Sequence, residues 1–306
     1  MAHSRTVSKS THQSLPFWPP VIPHEHGSWG TFGGLILATL LVTGVNAQVL
    51  LTVLAGVALF LAREPLGQSV KLRFGRKPRP VPRALCFWAG VYLTISGVAG
   101  GILVIQGELW GLVWMAMAGL IVLAVHLTMV ARRLMMTAWG EWIGVLGVSL
   151  IIPALCLAAR EALDIHALGL WLIGLAQVTG PIFYIRLKVR TQARLSAPPP
   201  VSQRLLAAWR PLLFSAVSLM VVMALGAWGW VPAWAWLALT PSAIKHLWGA
   251  LDWTPRGQLD IRRLGWIEVA NILLFAAILG GVYWLGGGAS LGMRQGFWAF
   301  PVVGGL

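Results

Sequence analysis

The chain has 306 residues, 58% of them hydrophobic and only 10% charged, with a formal net charge of +14. Soluble domains carry about 25% charged residues, so a water-soluble globular protein is excluded and an all-α polytopic transmembrane bundle is implied. The basic residues lie in short stretches between apolar runs, where Lys and Arg orient helices and meet anionic lipid, so the charge does not speak for nucleic acid.

Met1 to Ser14 is polar and rich in Ser, Thr and His. It has no apolar core and no small-residue cleavage site, so it does not read as a signal peptide. Residues 1–22 are expected to form a flexible cytoplasmic tail, and 23–306 a single transmembrane domain. Then comes "PHEHGSWG", Pro23 to Gly30. Its two histidines, His24 and His26, are spaced i, i+2, which suits extended backbone rather than the i, i+4 helical pairing of familiar zinc sites. A hydrogen-bonded hinge fixing the first helix is the favoured reading, and no metal or cofactor is assigned.

Nine apolar segments follow: Trp29–Val45, Val49–Ala62, Ala84–Ile105, Leu109–Val130, Trp139–Ala158, Ala167–Ile185, Pro211–Trp230, Val231–Leu251 and Trp266–Leu285. Spanning the hydrocarbon takes about 20 helical residues. The second segment is short and is expected to continue helically through "REPLGQSVKLRFG". The turn "WGWVPAW" between the seventh and eighth is tight, which makes a merger of that pair the main risk to the count. With the N-terminus inside and the C-terminus outside, all of the 23 Lys and Arg except Arg160 and Arg294 fall on the cytoplasmic side. That asymmetry supports about nine helices in this orientation.

Tryptophans at span ends, such as Trp110, Trp139 and Trp266, read as interfacial anchors. The stripe Gly140, Gly144 and Gly147 reads as a place where helices approach closely. Cys86 and Cys156 sit at opposite ends of their helices, which excludes a disulfide between them.

Ionisable groups near hydrocarbon are functional candidates by default, and here they gather at the cytoplasmic ends. Arg63 and Glu64 close the second segment, and His126 lies one turn from the end of the fourth. Glu141 opens the fifth, Tyr184 and Arg186 close the sixth, and Lys245 and His246 close the eighth. Glu268 opens the ninth, with Asn271 three residues on and so on the same face. The outer side is nearly bare, which argues against an ion path across the whole membrane and suits a vestibule open to the cytosol.

"PHEHGSWG" resembles the N-terminal signature of the YwiC-like family of bacterial integral membrane proteins, a Pro-x-(Glu/Gln)-His-Gly-x-Trp pattern leading into the first helix. Pro23, Glu25, His26, Gly27 and Trp29 occupy that pattern, with His24 at its variable place. "AREPL" and "YIRLKVR" continue the resemblance, which implies a multi-pass protein of the bacterial cytoplasmic (inner) membrane. The layout is also similar, more distantly, to UbiA-type prenyltransferases, whose Asp-rich motifs on the second and sixth helices hold Mg²⁺ against a prenyl diphosphate. This chain has "LAREPLGQSVKLR" and "GPIFYIRLKVR" there, with Arg and Lys where those enzymes have acids, apart from Glu64. Magnesium needs carboxylate or phosphate oxygens, whereas arginines grip an anion directly.

The expectation is a cytoplasm-facing cavity for an anionic amphipathic lipid or isoprenoid. Arg63 and Arg186 form its anion clamp, and His26 and Glu141 an acid–base pair. Glu64, Tyr184, Glu268 and Asn271 line it. A UbiA-like transferase, a permease for a small anion and a non-catalytic scaffold that meets membrane lipid are the alternatives.

Overall fold

The computed structural model describes residues 17–23, 26–192, 198–253 and 260–286, with only the backbone described at His26 and Ile261. It is all-helical, with no strand among the described residues. The helices are α1 (His26–Thr43), α2 (Ala47–Arg73), α3 (Arg83–Ile105), α4 (Gly111–Ala131), α5 (Ala138–Ser149), α6 (Ile151–Arg160), α7 (Ile165–Arg186), α8 (Val201–Ala207), α9 (Trp209–Ala227), α10 (Thr240–Leu251) and α11 (Ile261–Leu285). A π-helical turn, Leu187–Thr191, extends α7, and a 3₁₀ turn, Ala235–Leu239, leads into α10.

Among the described residues, seven helical stretches are long and apolar enough to cross a membrane, with α5 and α6 counting as one and α7 with its π turn as another. All nine apolar segments are helical, but two fall short of a full span. α1 has 18 residues. The eighth segment is not one helix: its 3₁₀ turn is followed by only 12 residues of α10. Proline explains this, because Pro232 and Pro241 lack the amide a continuous helix needs. The seventh and eighth segments do not merge. Gly229 takes a left-handed φ of +74° after α9, and the Trp230 amide turns back to the Leu225 carbonyl at 2.9 Å, a helix ending that glycine favours.

α2 does continue past its apolar stretch, as far as Arg73, and carries Pro65 inside it. The fifth segment breaks at Leu150, where α5 gives way to α6. Pro153, in the first turn of α6, cannot donate to the Ser149 carbonyl four residues back.

α1 packs chiefly on α11, and α2 pairs with α3. Glycine makes the first contact close. A Cβ on Gly30 would lie 2.5 Å from Val269 Cγ2, one on Gly34 2.6 Å from Ile272 Cγ1, and one on Gly280 2.8 Å from Leu41 Cβ. Bare backbone at these places lets the helices approach to van der Waals distance.

The chain before α1 is anchored rather than free. The Trp88 indole donates to the Phe17 carbonyl at 2.7 Å, the Phe17 ring sits 4.9 Å from that of Phe87, and the Trp29 indole donates to the Pro23 carbonyl at 2.9 Å. Residues 17–22, expected as part of a flexible tail, therefore lie against α3, held by their aromatic side chains and by carbonyls that the indoles satisfy. Cys86 is exposed and Cys156 buried, and both are free thiols.

Candidate functional site

The residues expected to form one site fall in three places. The first is a cavity of about 240 Å³ enclosed by α2, α3, α4, α5 and α6, with Phe32 of α1 beside it. Its wall is almost wholly apolar: Leu103, Leu112, Leu123, Ile143 and Ile151 are among the lining residues. Arg63 of α2 and His126 of α4 are its ionisable groups, with Thr52 and Ser96 the hydroxyls. Both charged positions belong to the C-terminal halves of antiparallel neighbours of α3 and α5, so they share one end of the cavity. That end carries the basic connection 73–83. The Arg63 guanidinium lies 5.1 Å from the centre of the Phe60 ring, a cation–π placement that leaves its donors available. Glu64 faces elsewhere and accepts from Gln68 Nε2 at 2.9 Å.

Three glycines, Gly100, Gly119 and Gly144, also line the cavity, and a Cβ on any of them would meet nothing within 4 Å. The stripe on α5 is thus of mixed purpose. Gly140 is crowded by the Leu134 carbonyl and Gly147 by Val122, but Gly144 opens on empty space.

The second place is the α5–α7 contact. Arg186 Nε donates to Glu141 Oε2 at 2.7 Å in a partly buried ion pair. Arg186 is therefore held by an acid on the neighbouring helix and does not line the cavity that Arg63 lines. The expected clamp of two arginines is not assembled, because Arg186 points toward α5. Glu141, expected opposite His26, has Arg186 as its partner. His26 begins α1, but its side chain, like His24 and Glu25, lies outside the described residues.

The third place is a buried polar network where α10 meets α7, α9 and α11. Lys245 Nζ donates to Glu268 Oε2 at 2.6 Å, with both side chains only 9% and 10% exposed. Lys245 also lies 4.9 Å over the Tyr184 ring. Asn271 Nδ2 donates to Ser242 Oγ, which in turn donates to Gln177 Oε1, each at 2.8 Å. Glu268 and Asn271 do share a face, and it is the one turned to α10. Ser215 Oγ lies 2.6 Å from His246 Nδ1 and also donates to the Pro211 carbonyl. The hydroxyl has one proton, so the Pro211 bond leaves Nδ1–H as the donor to Ser215. Tyr184 stacks against His246, and a Cβ on Gly249 would lie 2.3 Å from its Cε2. The C-terminal carbonyls of α10 are taken by basic and amide side chains. Gln192 donates to Gly249, Arg204 to Leu251 and Lys188 to Asp252, which suits the negative end of a helix dipole. Polar density here is high, but the only void beside it, at Ser215, Ser218 and His246, is about 10 Å³. That is room for one water and nothing larger.

Among the described residues no group of three or more His, Cys, Asp and Glu converges in a way that could hold a metal ion. Sequence reasoning singled out Arg63 but gave His126 no role in the site, and it could not find Gln177 or Ser215, whose only signal is a polar residue inside an apolar run.

Residues 22–156 match the family model described as YwiC-like protein. That segment is YwiC-like. Every residue lining the large cavity, from Phe32 to Ala154, lies within the YwiC-like segment, whereas the α10 network lies wholly outside it. No curated protein and no solved structure matches the chain.

Proposed function

We propose that this multi-pass membrane protein binds an anionic amphipathic molecule, a lipid or isoprenoid, with its tail in the cavity between α2, α4 and α5 and its head at Arg63. The observation that carries the reading is a nearly all-apolar cavity that ends at an arginine whose hydrogen-bond donors are not engaged by a carboxylate. A cavity of 150 Å³ accommodates benzene, so the 240 Å³ here has room for a chain of about ten carbon atoms. The head end faces the cytoplasm if the basic connections do, as their charge favours. The transfer chemistry of a UbiA-like enzyme draws no support from the residues at this cavity. Glu64, the one acid near the end of α2, is bonded to Gln68, and the end of α7 carries Arg186.

Binding is tested with decyl sulfate as probe, using protein in nanodiscs of zwitterionic lipid. Arg63→Met removes a charge-assisted contact and is expected to weaken binding about tenfold. Arg63→Lys keeps the charge but loses the planar fork, so a smaller loss is expected, and Arg76→Lys in the connection should change nothing. Equal effects from Arg63→Lys and Arg76→Lys would show that general surface charge attracts the probe.

Orientation has its own check. A reporter inserted near Lys77 is expected to behave as cytoplasmic and one fused after Leu306 as extracytoplasmic. Both on one side would mean that the chain crosses the membrane an even number of times between them.

A further inference from the structure

The cavity holds a second ionisable group that the anion reading leaves unused. His126 projects from α4 into the same space as Arg63 and is 8% exposed. No hydrogen bond holds its ring among the described residues, in contrast to His246, which is tied to Ser215. The charged groups close enough to act on it are Arg63, Glu64 and Lys71, all on α2. The other walls bring no charge to it. α3 lines the cavity through Ser96, Gly100 and Leu103, and α5 and α6 through apolar residues and glycines. Glu141 of α5 is turned to Arg186.

An imidazole in this setting, beside a guanidinium and with no acid in the cavity wall, has little to stabilise a positive charge. An anionic head group placed at Arg63 changes that, because an opposite charge a few ångströms away favours the protonated ring. Of the side chains on this wall, histidine alone has an ordinary titration range that falls near neutrality.

Resting on the anion-binding reading above, we propose that His126 is the proton-coupled half of the anion site: the ring takes up a proton as the anionic head arrives beside Arg63 and releases it as the head leaves. The linkage is reciprocal, so what the anion does for proton binding the proton does for anion binding. The sign follows. Affinity is highest at low pH, where the ring is already charged, and falls as rising pH strips the proton. A membrane anion would thus be held more firmly on acidification and let go at alkaline pH.

Decyl sulfate is a suitable probe because its head does not titrate in this range. With the intact protein in zwitterionic nanodiscs, its affinity is expected to be at least about tenfold tighter at pH 5.5 than at pH 8. That is the lower end of what one opposite charge does to a neighbouring titrating group. His126→Gln should bind with the same affinity at both pH values, and His126→Lys, with a fixed charge, should bind tightly at both. Titrations of the unaltered protein in two buffers of different ionisation enthalpy should show net proton uptake near pH 7, a readout that needs no variant to fold. Binding that depends on Arg63 but is equal at both pH values, without proton uptake, would overturn the coupling and leave the anion site standing. Absence of binding at either pH would overturn both.

Discussion

Lys245→Met is expected to destabilise the protein by about 3–5 kcal/mol, the range for removing one member of a buried ion pair. The reason lies in what remains. Glu268 would keep its charge between α10 and α11 with one oxygen, Oε1, already lacking a hydrogen-bond partner among the described residues. Both side chains are about nine-tenths shielded, so water cannot replace the lost ammonium without opening the helix contact. Removing both charges together, as Lys245→Met with Glu268→Leu, should recover most of the loss, because no uncompensated charge is left. Thermal unfolding of the purified single and double variants in one detergent provides the comparison. A double variant as unstable as the single would show that Lys245 acts through packing on the Tyr184 ring and not through its charge.

Gly144→Leu is expected to abolish binding of decyl sulfate while leaving the fold intact. A Cβ at this position meets nothing within 4 Å, so the leucine grows into the cavity without displacing a neighbour. Occupying the space of about four methylenes, at about 0.8 kcal/mol each, forfeits about 3 kcal/mol of tail burial, or more than a hundredfold in affinity. Stability should stay level or rise by about 0.5–1 kcal/mol, since glycine inside a helix is unfavourable. Paired measurements of unfolding temperature and probe affinity separate the two effects. Unaltered affinity in a stable Gly144→Leu protein would place the probe outside this cavity.

Much of the fold could be read from the order of apolar and basic residues, because lipid imposes a length and an alternation that composition records directly. The continuation of α2 through Pro65 and the separation of α9 from α10 were both readable that way. The break inside the fifth segment was not, although its cause, Pro153, stands in plain view. A single proline in an apolar run does not say whether the helix kinks, restarts or ends. The site was legible to a lesser degree. Position along the chain gave the depth of Arg63, Arg186 and Glu268, but not the direction in which each side chain leaves its helix. Direction decides partnership, and so Arg186 went to Glu141 and Glu268 to Lys245 instead of joining Arg63. Gly144 shows the same gap, since a small residue looks alike whether a helix or a void lies over it. His126 needed Arg63 beside it to acquire meaning, and 63 positions separate them in the chain.

The close seam between α1 and α11 bears on how this polypeptide can be divided. Gly30 and Gly34, inside the stretch that matches the family model, are fitted to Val269 and Ile272, which lie more than a hundred residues beyond its end. A fragment stopping at residue 156 would therefore leave the bare stripe of its opening helix facing lipid, with no side chains shaped to cover it. The family-matched stretch is a unit of sequence but not a separable unit of structure, and dissection of the protein should keep its first and last described helices together.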